Sequence, residues 1–298
     1  MGFRSNDITT RVLVTGLKGF TGVHVGRALR ARGFRVYGLD CDIRDSEAVG
    51  QRVKSILPDV VIHLAGIANV AHGDAAEMYK VNLIGSSHLF ASIAELKKPP
   101  RNTIVASSAS IYGDAPESPI TEDNLPDPKS DYGVSKTAVE YLVRVWRENF
   151  PWTVVRPFNY TGPGQSTDFV IPKIVEHFRA KAAVIELGNL DVIREYNDIR
   201  RTVEAYCRLV DIDGIGETYN IASEKGTALR DVLVRCSRLS GHIVDVRVNP
   251  RYVRRNEVAA LVGSKRKLEA TIGPLPDFSL EETLEGMLSE RRGTRSHS

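Results

Sequence analysis

The sequence predicts an α/β protein built on an open, doubly wound parallel sheet with a smaller C-terminal lobe. Three observations carry this. Short, continuous apolar runs rich in β-branched residues alternate with amphipathic stretches through the first half of the chain, as expected of strands buried on both faces by helices. A glycine-rich turn follows the first of these runs, and after Phe158 the texture changes to a Gly/Pro/polar loop, FNYTGPGQSTDF, too long for a simple turn.

The elements follow in order from Arg11. RVLVTG reads as a strand, GVHVGRALRARG as a helix, RVYGLD as a strand, SEAVGQRVKSIL as a helix and DVVIHLAG as a strand. The long stretch AAEMYKVNLIGSSHLFASIAELKK reads as a helix around residues 75–97, TIVASSAS as a strand and WTVVRPF as another. Between the last two, Val134, Ala138, Tyr141, Leu142 and Val145 fall at i, i+4, i+7, i+8 and i+11 and form one apolar stripe, which predicts a helix. In the second half IPKIVEHFRAKA suits a helix, VIELG a strand and TYNIAS a further buried strand; short helices and a lone HIVDVRV strand complete a small cap. The expected division is 11–158 plus about 196–222 for the sheet, and about 159–195 plus 223–288 for the smaller lobe. Residues 1–10 and 289–298 are polar and read as flexible tails.

Composition narrows the partners. The chain has 298 residues, 42% of them hydrophobic and 26% charged, with 40 Lys+Arg against 37 Asp+Glu, so a globular core is expected and disorder is not. A net charge of +3 argues against a nucleic acid as the main partner. Cys41, Cys207 and Cys236 are scattered and fit neither a disulfide framework nor a metal site. No segment is apolar for long enough to span a bilayer, and the opening MGFRSNDITTR lacks the apolar centre of a secretory signal. These features lead us to expect a cytoplasmic protein with no membrane partner and no metal.

The first chemical motif is VLVTGLKGFTG. Gly16, Gly19 and Gly22, with Phe20 and Thr21 inside the turn, lie between a strand and a helix. Glycines there let the backbone turn tightly against a pyrophosphate while the helix start offers it free N–H groups, the fingerprint of a Rossmann-type dinucleotide site. Asp40, eighteen residues past Gly22, closes the second strand where a carboxylate would bind an adenosine ribose. Asp42 follows closely, and the short LDCDIRD segment has room for one of the two at the ribose while the other caps the next helix. Spacing leaves open which does which, and with it NADH against NADPH.

The second motif is Tyr132 with Lys136 in DYGVSK, i and i+4 on one helix face. A neighbouring ammonium would lower the phenol's pKa towards working pH and fit it for proton transfer. The third is TIVASSASIYG, an apolar strand ending in Ser107, Ser108 and Ser110, where hydroxyls stand in the ligand crevice of a parallel sheet. There is no GxSxG elbow, and none of the seven histidines is an obvious base partner. Ser108 therefore reads as a hydrogen-bond donor to a carbonyl, not a nucleophile.

TGLKGFTG, HLAG, SSASIYG, YGVSK and RPFNYTGPGQ in this order resemble the extended short-chain dehydrogenase/reductases, which work on nucleotide-linked sugars with a nicotinamide cofactor. The resemblance runs from about Arg11 to Leu288. Within that group, RPFNYTGPGQS, LGNLDVIREYNDIR and VRRNEV look most like enzymes of GDP-deoxyhexose metabolism, the GDP-4-keto-6-deoxymannose reductases above all. The resemblance implies that Gly16, Gly19, Phe20, Thr21 and Gly22 hold the pyrophosphate, that Asp42 and Ile43 lie along the adenine, and that Leu64, Ala65 and Gly66 line the far side of the cofactor. It implies a catalytic Ser108, Tyr132 and Lys136, the last also on the nicotinamide ribose, supported by Asn82. Asn159 would contact the sugar, Arg194 and Arg254 the diphosphate, and Glu257 its ribose; guanidinium forks match phosphate oxygens.

Departures from related motifs narrow the chemistry further. Related 4,6-dehydratases carry an Asp-Glu pair where this chain has Ala109 and Ser110, and 3,5-epimerising reductases carry a cysteine where it has Ile111. The expected activity is therefore NAD(P)H-dependent reduction of a 4-keto-6-deoxyhexose on a nucleotide, by a homodimer paired through the two long helices, with Leu89, Ile93, Tyr141 and Trp146 as spare apolar surface. The alternatives are a nucleotide-sugar 4-epimerase that retains NAD and, from another class, a non-catalytic binding protein on the same fold.

Overall fold

The computed structural model describes residues 10–68, 74–115, 118–253 and 257–290. The first half runs β1 (Arg11–Thr15), α1 (Phe20–Ala31), β2 (Arg35–Gly38), α2 (Ser46–Ile56), β3 (Val60–His63), α3 (Ala75–Tyr79), a π-turn (Lys80–Ile84), α4 (Gly85–Ala94), β4 (Asn102–Ala106), α5 (Asp131–Val145) and β5 (Trp152–Pro157). The second half runs β6 (Tyr160–Thr161), α6 (Val170–Arg179), β7 (Val184–Leu187), β8 (Ile193–Glu195), β9 (Asn197–Asp198), α7 (Ile199–Val210), β10 (Glu217–Ile221), β11 (Gly226–Ala228), α8 (Leu229–Ser240), β12 (Asp245–Val248), β13 (Ala260–Leu261), α9 (Arg266–Ile272) and α10 (Leu280–Ser289).

Six strands form one parallel sheet in the order β2-β1-β3-β4-β5-β10. β1 is flanked by β2 on one side and β3 on the other, so the order reverses there and a crevice opens at the carboxyl ends of the strands. Alternation along β1 shows why the strands are apolar throughout. Val12 and Val14 pack with Val25 and Leu29 of α1 and with α7, while Leu13 between them packs with α2, α4 and α5 on the other face.

A second core gathers α6, α8 and α10 around β7 and β12, with Ile174, Phe178, Ile185, Val232 and Leu284 buried. The strand in HIVDVRV is not alone, because β12 pairs in parallel with β7. β8 joins β11 and β13, and β6 joins β9. The expected C-terminal tail starts slightly late: Ser289 ends α10 and Glu290 accepts hydrogen bonds from the Gly164 N–H and Arg179. The rest of both tails, 1–9 and 291–298, lies outside the described residues.

Helix α5 is where the apolar stripe predicted it, but the stripe faces outward. Val134, Tyr141 and Val145 are 42%, 56% and 74% exposed, whereas the buried face carries Gly133, Ser135, Lys136, Val139, Glu140 and Val143. Two charged residues can face inward because each has a partner. Lys136 donates to the Ala106 carbonyl at 2.9 Å, and Glu140 takes a bidentate pair from Arg156 of β5 at 2.9 and 2.8 Å. Leu89 and Ile93 of α4, expected as spare surface, are fully buried in the core.

The Arg156–Glu140 pair continues to Tyr112, whose hydroxyl accepts from Arg156 and donates to Asn220 of β10, both at 2.7 Å. This fixes α5 and the segment after β4 to the sheet. Glu140→Ala leaves the Arg156 guanidinium buried without its counter-charge and is expected to cost about 3–5 kcal/mol of stability. Urea unfolding of wild type and variant checks this; a loss below about 1 kcal/mol would contradict it.

Candidate active site

The site is built at the reversal of strand order. Gly16, directly after β1, has φ +70°, and a Cβ there would lie 2.9 Å from the Ala65 nitrogen. A Cβ on Gly22 would lie 2.1 Å from the Gly16 carbonyl oxygen and 2.7 Å from the Leu17 Cα. Only glycine permits this closeness. Helix α1 begins at Gly19 with no side chain capping it and no acidic residue in its first turn, which suits an anion such as a pyrophosphate. The turn therefore fits a dinucleotide. Phe20 and Thr21 are engaged by Tyr160, Phe20 stacking on its ring at 6.2 Å and Thr21 hydrogen-bonding its hydroxyl at 2.7 Å.

Neither Asp40 nor Asp42 caps the following helix. Asp45 does, accepting from the Ala48 N–H at 3.0 Å. Asp42 is held by the backbone N–H and guanidinium of Arg44, which lowers its pKa to about 2, and Asp40 pairs with Arg52 at 3.0 Å. The three-residue offset between an Asx cap and the N–H that it binds selects Asp45. Ile43 has its side chain buried against α4, where a Cβ on Gly85 would touch it.

A buried hydrogen-bond chain then runs across the sheet. Thr15 and His63 are paired residues of β1 and β3. The N–H groups of Leu64 and Ala65 donate to the Thr15 hydroxyl at 3.1 and 3.0 Å, and that hydroxyl meets His63 Nδ1 at 2.7 Å. His63 Nε2 meets the Ser86 hydroxyl at 2.8 Å, and Ser86 donates to the Asn82 carbonyl. Because the single Ser86 proton is spent on that carbonyl, His63 must donate from Nε2 and accept at Nδ1. Burial, with the Lys136 charge nearby, lowers the His63 pKa to about 3 and keeps the ring neutral. The Asn82 side chain bonds both main-chain groups of Ile67, at 2.7 and 3.1 Å, and donates to Ser135 at 3.0 Å; Ser135 donates to the Tyr132 carbonyl at 2.8 Å.

This places Tyr132 and Lys136. Ser130 caps α5 through the Gly133 N–H at 3.2 Å. Ser108 follows β4, caps the short turn Ala109–Ile111 through the Ser110 N–H at 3.1 Å, and hydrogen-bonds the Tyr132 phenol. A Cβ on Gly66 would lie 3.0 Å from Asn82 Oδ1 and 3.3 Å from Lys136 Nζ, so Gly66, Asn82 and Lys136 converge. The expectation of an acidified phenol fails. Burial pushes the Tyr132 pKa up, Tyr160 adds to the rise and the Ser108 bond only partly opposes it. The Lys136 ammonium is aimed at the Ala106 carbonyl, and burial lowers its own pKa to about 8.

The substrate candidates are more dispersed. Asn159 is exposed, with its carbonyl accepting from the Asn197 N–H at 3.0 Å. Arg194 of β8 donates to the Ile193 and Val258 carbonyls at 2.8 and 2.6 Å. Glu257 lies beside that segment with Oε2 buried and without a hydrogen-bond partner among the described residues, and both charges act on Tyr196. Arg254 lies outside the described residues. Sequence reasoning missed Thr15, His63, Ser86 and Tyr160. His63 and Tyr160 stood inside the HLAG and RPFNYTGPGQ motifs, but only strand register and chain return show what they touch.

The sheet order, the glycine turn at the reversal and the Ser108–Tyr132–Lys136 group define an extended short-chain dehydrogenase/reductase. More narrowly, the chain belongs to the family described as GDP-mannose 4,6 dehydratase, whose model matches residues 38–287. It is 31% identical to the GDP-6-deoxy-D-talose 4-dehydrogenase of Aggregatibacter actinomycetemcomitans, over 94% of this chain and 98% of that protein. It is also 31% identical to the GDP-6-deoxy-D-mannose reductase of Pseudomonas aeruginosa, over 95% and 97%. Among solved structures, RMD from Pseudomonas aeruginosa complexed with NADPH matches with a TM-score of 0.86 and 30% identity, over 95% of this chain and 98% of that one. A Burkholderia cenocepacia J2315 protein provisionally named an epimerase matches with a TM-score of 0.87 and 38% identity, over 96% and 98%.

Proposed function

We propose that the chain is an NAD(P)H-dependent 4-ketoreductase that reduces the C4 ketone of a GDP-linked 4-keto-6-deoxyhexose, giving GDP-rhamnose or GDP-6-deoxytalose. The observation that carries this is a Ser108–Tyr132–Lys136 group with Ala109 and Ser110, not an acid and a base, beside it. Eliminating water from C5 and C6 would need that acid and base, so the dehydration in the family's description is not the reading for this chain. Both 31%-identical relatives carry names of oxidation or reduction on GDP-6-deoxyhexoses.

When held by the glycine turn, Lys136 and Asn82, a reduced nicotinamide coenzyme would supply the hydride that C4 takes up. The chain's own residues do the rest. Tyr132, kept protonated by burial, gives its hydroxyl proton to O4 as charge develops there, and Ser108 donates a hydrogen bond to the same oxygen. Lys136 and Asn82 position the nicotinamide end, and the glycine turn takes the pyrophosphate. At the other end of the substrate, Arg194 and Arg254 would meet the diphosphate, Asn159 the sugar, and Glu257, whose Oε2 has no partner among the described residues, a ribose hydroxyl. The division into a coenzyme part and a sugar-nucleotide part belongs to the same proposal. So does a cytoplasmic homodimer; the outward stripe of Val134, Tyr141 and Val145 and the exposed Ile84 support the pairing. A light-scattering mass of one chain at micromolar concentration would refute the dimer.

Tyr132→Phe is expected to lower turnover by about two to four orders of magnitude with little change in coenzyme binding. In the wild type, reduction should be level below neutrality and fall as pH rises through about 8, where Lys136 loses its charge. A variant keeping a third of wild-type turnover, or a rate still level at pH 10, would remove these two residues from the chemistry.

An epimerase uses the same groups but keeps its NAD through both half-reactions. The short LDCDIRD segment removes part of the wrapping around the adenosine and should weaken the grip on coenzyme. The purified protein is therefore expected to be largely coenzyme-free and to oxidise one NAD(P)H per GDP-4-keto-6-deoxyhexose consumed, with product configuration read by NMR. Near-equimolar bound NAD and sugar-nucleotide interconversion without added coenzyme would establish the epimerase instead.

A further inference from the structure

Glu195 of β8 is fully buried. Successive strand residues point to opposite faces, so it stands behind Arg194, the candidate for the substrate diphosphate. Among the described residues its carboxylate accepts five hydrogen bonds. Oε2 takes the Asn197 side-chain N–H at 2.7 Å, the Ser223 main-chain N–H at 2.7 Å and the Ser223 hydroxyl at 3.2 Å, while Oε1 takes the Gly263 N–H at 2.8 Å and the Glu224 N–H at 3.3 Å. Burial pushes its pKa up, and the bonds from Gly263, Asn197 and Ser223 oppose the rise. Each of these groups donates, so the place fits a side chain that only accepts.

The donors come from separate stretches of chain. Asn197 begins β9, Ser223 and Glu224 follow β10 at the edge of the parallel sheet, and Gly263 follows β13. Glu224 adopts φ +66°, a conformation that residues with a side chain rarely take and that persists only where neighbours hold it. Its N–H is held by Glu195, and its own carboxylate accepts from the Ser264 hydroxyl at 3.0 Å. Glu195 thereby joins the small sheet β11-β8-β13 to the end of β10.

Three substrate candidates hang on that junction. Arg194 precedes Glu195 on β8. Asn197, whose side chain is bound to Glu195, donates its main-chain N–H to the Asn159 carbonyl at 3.0 Å. Gly263 reaches the same loop, since a Cβ there would lie 2.2 Å from the ring of Phe158, the residue before Asn159. Glu257 stands on the segment that runs through β13 to Gly263, and Arg194 donates to the Val258 carbonyl within it at 2.6 Å.

We infer that Glu195 is a positioning residue for the sugar nucleotide: without touching it, the carboxylate fixes Arg194, Asn159 and the segment of Glu257 relative to the carboxyl edge of the parallel sheet. The inference rests on the substrate part of the proposed function and deepens it. An amide of the same shape would turn N–H groups towards these donors and leave both sides without an acceptor. The junction must then open, and the groups that hang on it move apart. The coenzyme candidates are tied together elsewhere, through Thr15, His63, Ser86 and Asn82, so their ligand should be spared.

Calorimetric titration with GDP and fluorescence titration with NADPH, on the same preparations, test this. Glu195→Gln should weaken GDP binding by about ten- to a hundredfold while the NADPH constant changes by less than about twofold. Glu195→Asp keeps a group that only accepts and should regain most of the loss. Asn197→Ala removes one donor, should weaken GDP by about three- to tenfold, and carries the test should the glutamine variant not fold.

A folded Glu195→Gln that binds GDP like wild type, equal weakening of GDP and NADPH, no recovery in Glu195→Asp, or an Asn197→Ala with unchanged GDP affinity would overturn the inference and leave the ketoreductase reading standing. A wild type that binds NADPH but not GDP would sink the reading of the substrate together with the inference.

Discussion

The pairing of Thr15 with His63 across β1 and β3 is the constraint on which the rest of the site depends. At that level of the sheet two buried polar side chains face each other, and a buried polar group must be satisfied or it destabilises the fold. Satisfying them uses the first two N–H groups after β3 and the Ser86 hydroxyl, each with one available direction for its proton, and the Asn82 carbonyl that accepts the last of them. Residues 64–66 are thereby drawn down against Gly16, and Asn82 is presented towards α5. A neutral His63 is the joint, and its burial holds it neutral across the physiological pH range.

The same logic explains how α5 turns a polar face inward. Its contact with the sheet contains a lysine and a glutamate, each desolvated and each matched, one to a main-chain carbonyl and one to a bidentate arginine. These bonds fix the rotation of the helix about its axis more tightly than apolar packing alone would, because a slip of one residue would leave both charges unpaired. Tyr132, one turn before Lys136, is set by that rotation. Val134, Tyr141 and Val145, left outside, give the helix an exposed apolar face among the described residues.

Burial also alters what the residues can do. An ammonium close in sequence to a phenol suggests an acidified phenol, yet in the folded chain desolvation dominates for both groups, raising one pKa and lowering the other. The phenol is consequently a neutral donor, suited to giving a proton to an oxygen that gains charge.

Much was legible in the sequence because its causes are local. Continuous β-branched runs specify buried parallel strands, Gly16, Gly19 and Gly22 specify a turn that admits no Cβ, and i, i+4 spacing puts Tyr132 and Lys136 on one helix face. What the sequence could not determine depends on which strands become neighbours and how a helix is rotated. Register joined Thr15 to His63, and the return of the chain after β5 brought Tyr160 to Thr21. The stripe that identifies α5 does not tell that it turns outward, because apolar periodicity reports a helix but not its inward face. Here that face was decided by partners supplied from β4 and β5, far away in sequence, which is why only the tertiary structure could reveal it.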